Sequence, residues 1–251
     1  MRIAGFYKFL IFIGISLIYT NANGQFINFG PAKDFLELDV HFQAGGSGVF
    51  QNYMKKFPEI KELNTMASTS YGIGARAVFG IKDFIGFGTE LNLKLDGYNL
   101  DLAVSNDNGT NISNIFLHNR YLYAHIPVFV SFRFNASTAV RWNVDFGMYY
   151  EYGFAGKQKQ SIYTTSLNEL GQLVPQEVYL DPSYFVSDET FINSFFRSDI
   201  GFHIATGLRL GRHINVSAKL DLGIKNISYT DGLVNPSIYN YNVTGCVGYE
   251  F

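Results

Sequence analysis

Apolar and polar side chains alternate with period two along most of this chain, in runs at 36–44, 71–79, 85–96, 122–134, 140–154, 197–210, 214–225 and 239–251. Such alternation places successive side chains on opposite faces of an extended strand, so each run predicts a strand with one apolar face. In the first, Leu36, Leu38, Val40, Phe42 and Ala44 share one face, and Glu37, Asp39, His41 and Gln43 the other. The fifth repeats the pattern at greater length, with Val140, Trp142, Val144, Phe146, Met148, Tyr150, Tyr152 and Phe154 against Arg141, Asn143, Asp145, Gly147 and Glu151.

The connections alternate in length. Tight ones at 81–83, 135–138 and 211–213 join runs two to three, four to five and six to seven, while longer ones cover 45–70, 98–115, 155–195 and 229–237. Turns on one side and loops on the other predict an all-β, closed, antiparallel up-and-down transmembrane barrel of eight strands. Asp107-Asn108-Gly109 suits a tight turn at the tip of a projecting hairpin, and Tyr53 to Leu63 reads as a polar surface segment with a short helix. Ser161 to Thr165 and Glu177 to Leu180 suit an extra hairpin above the membrane; were it to enter the bilayer, the count would become ten.

Alternation alone would also fit a soluble barrel with its apolar face inside. Volume decides between them, because an eight-stranded interior is only just filled by side chains and about fifty apolar positions, many of them Phe, Tyr or Leu, exceed it. The apolar face therefore points outward, to lipid. No Asp, Glu, Lys or Arg stands on it, and aromatic residues gather at the strand ends, Tyr71, Tyr150, Tyr152, Phe154, Tyr239 and Tyr241 at one level and Phe79, Phe132, Phe134, Trp142, Tyr249 and Phe251 at the other. Pro127 interrupts this scheme inside the fourth run, where a missing N–H predicts a bulge or a locally broken pairing.

Composition supports the same class. Of 251 residues, 17% are aromatic and 16% charged, far fewer charges than in a soluble domain, and a net charge of −2 offers no basic footprint for nucleic acid. Cys246 stands alone, so no internal disulfide forms. At the N-terminus, Arg2 and Lys8 precede an apolar stretch from Phe9 to Tyr19 and a small, polar segment, Thr20 to Gly24. This is the layout of a signal peptide over 1–24, too short to span a bilayer as a helix, with the barrel domain following at 25–251.

The inward face carries Glu37, Asp39, Glu90, Asp96, Asp145, Glu151, Asp199, Asp221 and Glu250 against Arg76, Lys94, Arg133, Arg141, Arg197, Arg209, Lys219 and Lys225. Nearly balanced signs point to a cross-linked, largely closed lumen rather than to a selective pore, which would show a ring of one sign. His41, His125 and His203 face the same lumen from separate strands, without a local ligand pair, and Glu37 with Asp39 reads as alternate positions of one strand face rather than an acid–base pair. No Ser and His at a loop end are spaced for a nucleophile. The expectation is no catalytic residue, no cofactor-binding residue and no metal ligand.

Tyr123-Ala124-His125-Ile126-Pro127 running on to Phe134, Asp199-Ile200-Gly201 with Gly207, Gly223-Ile224-Lys225-Asn226-Ile227 and the final Gly248-Tyr249-Glu250-Phe251 together resemble the PorT-like outer-membrane β-barrel domain proteins of Bacteroidetes. The resemblance covers most of the mature chain and implies the cell outer membrane as location. It departs at His125, where the family typically has an acidic residue, and the terminal Phe resembles the assembly signal of outer-membrane barrels in general. The partners expected are outer-membrane lipid, the barrel assembly machinery and other envelope or secretion proteins. The function expected is that of a noncatalytic structural or interaction protein acting through its extracellular loops; a PorT-like accessory of type IX secretion, a small-solute pore and a lipid-modifying enzyme are the alternatives.

Overall fold

The computed structural model describes residues 26–105, 112–137, 139–167, 171–185, 195–229 and 236–251. The signal segment and the Asp107-Asn108-Gly109 turn lie outside the described residues. Among the described residues nine strands form one antiparallel sheet: β1 (Leu36–Gln51), β2 (Ile60–Lys82), β3 (Ile85–Ser105), β4 (Ile112–Asn135), β5 (Val140–Leu167), β6 (Leu173–Leu180), β7 (Ser198–Leu210), β8 (Ile214–Gly223) and β9 (Ile238–Glu250), with a one-turn helix α1 (Tyr53–Lys56) between the first two. Pairing runs β1-β2-β3-β4-β5-β7-β8-β9, and β9 returns to β1 from Asp39↔Glu250 to Gln51↔Ile238. First meets last, and the sheet is a closed ring of eight. β6 stands outside the ring, paired to the upper part of β5 from Gln160↔Leu180 to Leu167↔Leu173, so the extra hairpin forms and does not raise the count.

Side chains sort as volume requires. Leu38, Val40, Phe42, Ile73, Leu91, Leu93, Val128, Phe146, Phe202, Val243 and Val247 face outward and are exposed, while Asp39, His41, Glu90, Asn92, Lys94, His125, Asp145 and Asp221 are buried. The outward aromatics expected at the two levels, among them Tyr71, Tyr150, Tyr152, Phe79 and Tyr249, are exposed there. Among the described residues no helix is long and apolar enough to cross a membrane, so the crossing is made by strands.

The alternation changes sense partway up β3. Outward positions pass from Leu91, Leu93 and Leu95 to Asn99 and Asp101, and inward ones from Lys94 and Asp96 to Tyr98, Leu100 and Leu102. No side chain has switched sides. Lipid has given way to water outside, and the sheet there buries apolar groups inward as any soluble sheet does. β4 follows the same rule, with His118 and Arg120 outward and Leu117 and Tyr121 inward above the lipid-facing Leu122, Ala124, Ile126 and Val128.

For this reason segments expected as loops at 45–70 and 98–115 are largely strand. β2 through β5 have 23, 21, 24 and 28 residues against 13, 10 and 13 in β7, β8 and β9, so one side of the barrel rises as a wall above the membrane and continues into β6. Helix α1 keeps four residues of the helical segment expected within 53–63, and Ile60 to Leu63 already belong to β2. A register shift between Leu122 and Tyr123 against β5 exchanges the inward set of β5 from Asp145, Tyr149 and Glu151 below to Gln158 and Gln160 above.

Near Pro127 the pairing of β3 with β4 lapses between Thr89↔Val128 and Asn92↔His125, with the register unchanged across the gap. The expected break is present and no bulge accompanies it. Thr89 Oγ1 donates to the Pro127 carbonyl at 2.9 Å, and Pro127 still pairs with Tyr149 on the other side.

If the outer face is lipid-solvated, Leu93→Arg destabilises the barrel by about 2 to 4 kcal/mol in urea unfolding from lipid vesicles, the penalty of a cation near the midplane. Asp101→Arg, on the same strand but above the change of sense, shifts stability by under about 0.5 kcal/mol. Equal effects at the two positions would contradict the placement of the membrane.

Candidate functional site

Because inward positions recur at every second residue of eight strands, side chains far apart in sequence meet in layers across the lumen. At the base, Glu37 accepts from Arg133 at 2.8 Å and from Arg141 at 2.6 Å, while Arg141 also reaches Asp83 at 3.3 Å and Arg209 holds Glu250 at 2.5 Å. Above this, Arg76 donates to Asp145 at 2.9 Å and lies 3.6 Å from both Asp39 and Glu90, its guanidinium 5.2 Å from the Phe129 ring. Two glycines make room for rings inside so narrow a cylinder: a Cβ on Gly88 would lie 2.5 Å from Phe129, and one on Gly201 2.5 Å from Tyr149.

The middle of the lumen is a connected polar network. Lys219 is anchored on Glu90 at 2.5 Å beside His41, whose Nδ1 donates to Asp39 at 3.0 Å and whose Nε2 lies 2.8 Å from Asn92 Oδ1. Asn92 in turn donates to Glu90 at 3.0 Å and to His125 Nδ1 at 3.2 Å. Lys94 donates at 3.1 Å to both Glu151 and Asp221, with Asp96 at 3.6 Å, and His203 Nδ1 donates to Asp221 at 2.7 Å. Higher still, Ser70 and Asn242 hold Asp96, and Tyr149 and Asn240 hold Asp199.

An apolar cap closes this column at the extracellular mouth. Tyr184 and Phe185, from the connection after β6, fold back over the lumen to pack with Tyr98, Tyr121, Tyr123, Phe195, Tyr53 of α1, Ile227 and Ile238. Tyr184 stacks on Phe195 at 4.3 Å and on Tyr121 at 4.6 Å, and its hydroxyl donates to that of Tyr98 at 3.3 Å. Burial pushes the Tyr53 and Tyr184 phenols above their ordinary pKa, so both stay neutral in the cap.

The pattern of the outer membrane protein β-barrel domain family matches residues 23–229. The chain belongs to that family. This places it in the outer membrane, with short turns toward the periplasm and the tall wall and cap outside. No curated protein matches the sequence. Solved structures similar to it include Ail of Yersinia pestis in complex with a heparin analogue (10% identity, covering 86% of this chain and 97% of that one, TM-score 0.35) and the Neisserial surface protein NspA (9%, 85% and 97%, TM-score 0.34). OprG of Pseudomonas aeruginosa is a third (11%, 90% and 99%, TM-score 0.34).

Most sequence-expected lumen charges lie where alternation puts them, with two corrections. Arg197 is exposed at the rim, donating to the Gly153 and Phe154 carbonyls and lying over Phe185, and Lys225 sits at the mouth against Ser198 and Phe196, because both positions fall outside the regular strands beside them. Asp83, in the β2–β3 turn, is buried under Arg141 and was missed because a turn residue has no alternation to betray its side. The described lumen thus buries ten carboxylates against Arg76, Lys94, Arg133, Arg141 and Lys219, with Arg209 partly buried, a less even balance than the sequence suggested.

His125, His203 and Asp221 come together, their ligand atoms within 4.8 Å of one another, whereas His41 belongs to the layer with Asp39 and Lys219. Glu37 and Asp39 share a strand face but answer to different cations. In Gly223-Ile224-Lys225-Asn226-Ile227, Asn226 Oδ1 accepts from the Ser228 and Ile238 N–H groups and its amide donates to the Pro236 carbonyl, which ties the exit of β8 to the start of β9 and seats Ile227 in the cap.

Removing one member of a desolvated ion pair strands the other. Glu37→Gln, which leaves Arg133 and Arg141 facing each other without their shared carboxylate, is expected to cost about 3 to 5 kcal/mol in urea unfolding. Asp181→Asn, which breaks the exposed Lys157–Asp181 pair at 3.0 Å, is expected to cost under about 1 kcal/mol.

Proposed function

We propose that this protein is a noncatalytic outer-membrane barrel whose lumen does not conduct and which works as a structural or interaction element through its extracellular wall. The observation that carries the reading is the filling of the lumen: ionic layers from Glu37 up to Asp96 are bonded to one another, and an aromatic cap lies over them. A path for solute would require these contacts to part together. What remains available to a partner is the wall formed by β2 to β6, where Leu173, Val174, Val178, Tyr179 and Leu180 are exposed on a strand that lies beyond the lipid. Segments of this kind, held on a rigid scaffold, are where recognition usually resides.

Export through the 1–24 segment, insertion by the barrel assembly machinery and contact with other envelope or secretion proteins belong to the same reading. The Ile126-Pro127 strand and the segment from Gly223 to Ile227 support the narrower PorT-like assignment, from which the chain departs at His125; in that reading the wall would serve type IX secretion, loss of secreted cargo on gene deletion is expected, and intact secretion would remove that subtype.

Purified protein in a planar bilayer is expected to give no reproducible conductance steps, and steady unitary currents would overturn the closed-lumen reading. On intact cells, a photo-crosslinking residue at Tyr179 is expected to capture a protein adduct that the same residue at lipid-facing Val216 does not. Identical patterns at both positions would remove the interaction role.

A further inference from the structure

Just above the lipid-facing band, the outer face of β4 and β5 turns basic. The last apolar outward rung pairs Leu122 with Ala155, and the next two outward rungs pair Arg120 with Lys157 and His118 with Lys159, all four of them exposed. The lysines stand there because of the register shift between Leu122 and Tyr123. Gly153 below the shift and Gly156 and Gln158 above it face inward, so the outward set of β5 passes from Tyr152 and Phe154 to Ala155, Lys157 and Lys159. Unbroken alternation from Phe154 would have turned both ammonium groups into the lumen. Bulges recur at barrel rims and beside functional sites, where they re-aim side chains in this way.

On its own this arrangement is unfavourable. Arg120 and Lys157 are direct cross-strand neighbours, and like charges so placed repel. Arg120 meets no carboxylate among the described residues. Its stem crosses Gly97, where a Cβ would lie 2.9 Å from Arg120 Cδ, and its guanidinium donates to the Thr69 carbonyl at 2.6 Å and to Thr69 Oγ1 at 3.1 Å. These bonds hold the fork in place and leave it further N–H groups to donate. Lys157 has Asp181 at 3.0 Å, whereas Lys159 has no ion-pair or hydrogen-bond partner among the described residues. His118 donates through Nδ1 to Asn99 Oδ1 at 3.1 Å. Asp101, the next acidic residue on this face, stands one outward rung beyond His118, opposite Phe116. With strands rising about 3.3 Å per residue and tilted about 40°, Arg120 and Lys157 lie about 5 Å above the last lipid-facing rung and Lys159 about 10 Å, a span that covers the headgroup layer.

We propose that Arg120, Lys157 and Lys159 form a site for a phosphate group on the headgroup of an outer-leaflet lipid, with His118 at its upper edge. An arginine fork takes two phosphate oxygens at once, and a lysine brings a compact charge to a third. Continuity with the lipid-facing wall argues for a lipid over a soluble anion, because the site begins one outward rung above Leu122 and Ala155 and opens on the surface that acyl chains wet. A lipid held there lays its tails against Leu95, Leu122 and Phe154 and its phosphate against the cations. Neither the closed lumen nor the partner surface of β6 enters into this; the site depends only on the level at which the hydrocarbon ends.

The test uses the full folded barrel in a neutral detergent. Native mass spectrometry and calorimetric titration with phosphorylated lipid A are expected to show one lipid held per chain, and the dephosphorylated form to bind at least tenfold more weakly. Arg120→Gln combined with Lys159→Gln is expected to weaken binding of the phosphorylated form at least tenfold while keeping the heat-dependent gel shift of a folded barrel. Lys55→Gln, on α1, is expected to leave it unchanged, and Asp181→Asn, which frees Lys157, to tighten it severalfold. If the double variant does not fold, the comparison of the two lipid forms on wild-type protein decides. Equal binding of the two forms, or binding of neither, would overturn the proposal. So would binding that is untouched by the double substitution or weakened by Asp181→Asn. Inorganic phosphate or dextran sulfate bound through the same residues at least as tightly as the lipid would give the site to a soluble anion and overturn the lipid assignment.

Discussion

The backbone of this protein crosses hydrocarbon as strands, and a strand edge there would leave N–H and C=O groups unpaired at several kcal/mol each. The pairing of β1 with β9 removes that edge, and the rest follows from it. Once eight strands close, every second side chain must fit a narrow cylinder and every other one must meet acyl chains. Glycines at Gly88 and Gly201 are the consequence inside, where rings of Phe129 and Tyr149 already occupy the space a Cβ would take.

Enclosure sets the electrostatics. Charges placed in a cylinder without bulk water must find partners, and the lumen does this by layers rather than by isolated pairs: Glu37 serves two arginines, Lys94 three carboxylates, and Asn92 links His41 to His125. Mutual dependence of this kind ties the layers into one column. The cap then excludes water from above by ordinary hydrophobic packing, using residues from the strand wall, α1 and the returning segment at Tyr184. The lipid-facing exterior and the enclosed ionic interior are therefore two results of one closed sheet.

Much of this was legible in the sequence, because a period of two is a direct record of which side a residue faces. Strand number, closure, the outward aromatics, the hairpin of Tyr163 with Glu177 and the break at Pro127 all came from alternation and local residue chemistry. Strand length was not legible, since Leu100, Leu102 and Leu117 face inward above the lipid and invert the rule that identified the strands below. Nor was the meeting of His125 with His203 and Asp221, which depends on the stagger between strands, a quantity that no single strand encodes. Asp83, Arg197 and Lys225 were misplaced or missed for a related reason: they stand in turns and at strand ends, where alternation gives no instruction.

The most direct measurement concerns the solvent of the two faces. In a Trp142→Phe background, which removes the one native tryptophan, a tryptophan introduced by Leu93→Trp or by Tyr149→Trp is exposed to vesicles whose lipids carry bromine on their acyl chains. Strong quenching of the fluorescence at 93 and little at 149 is the result required of an apolar exterior wetted by lipid and an ionic interior sealed from it. Quenching at 149 with none at 93 would mean that the faces are reversed, and the account of the barrel would fail with them.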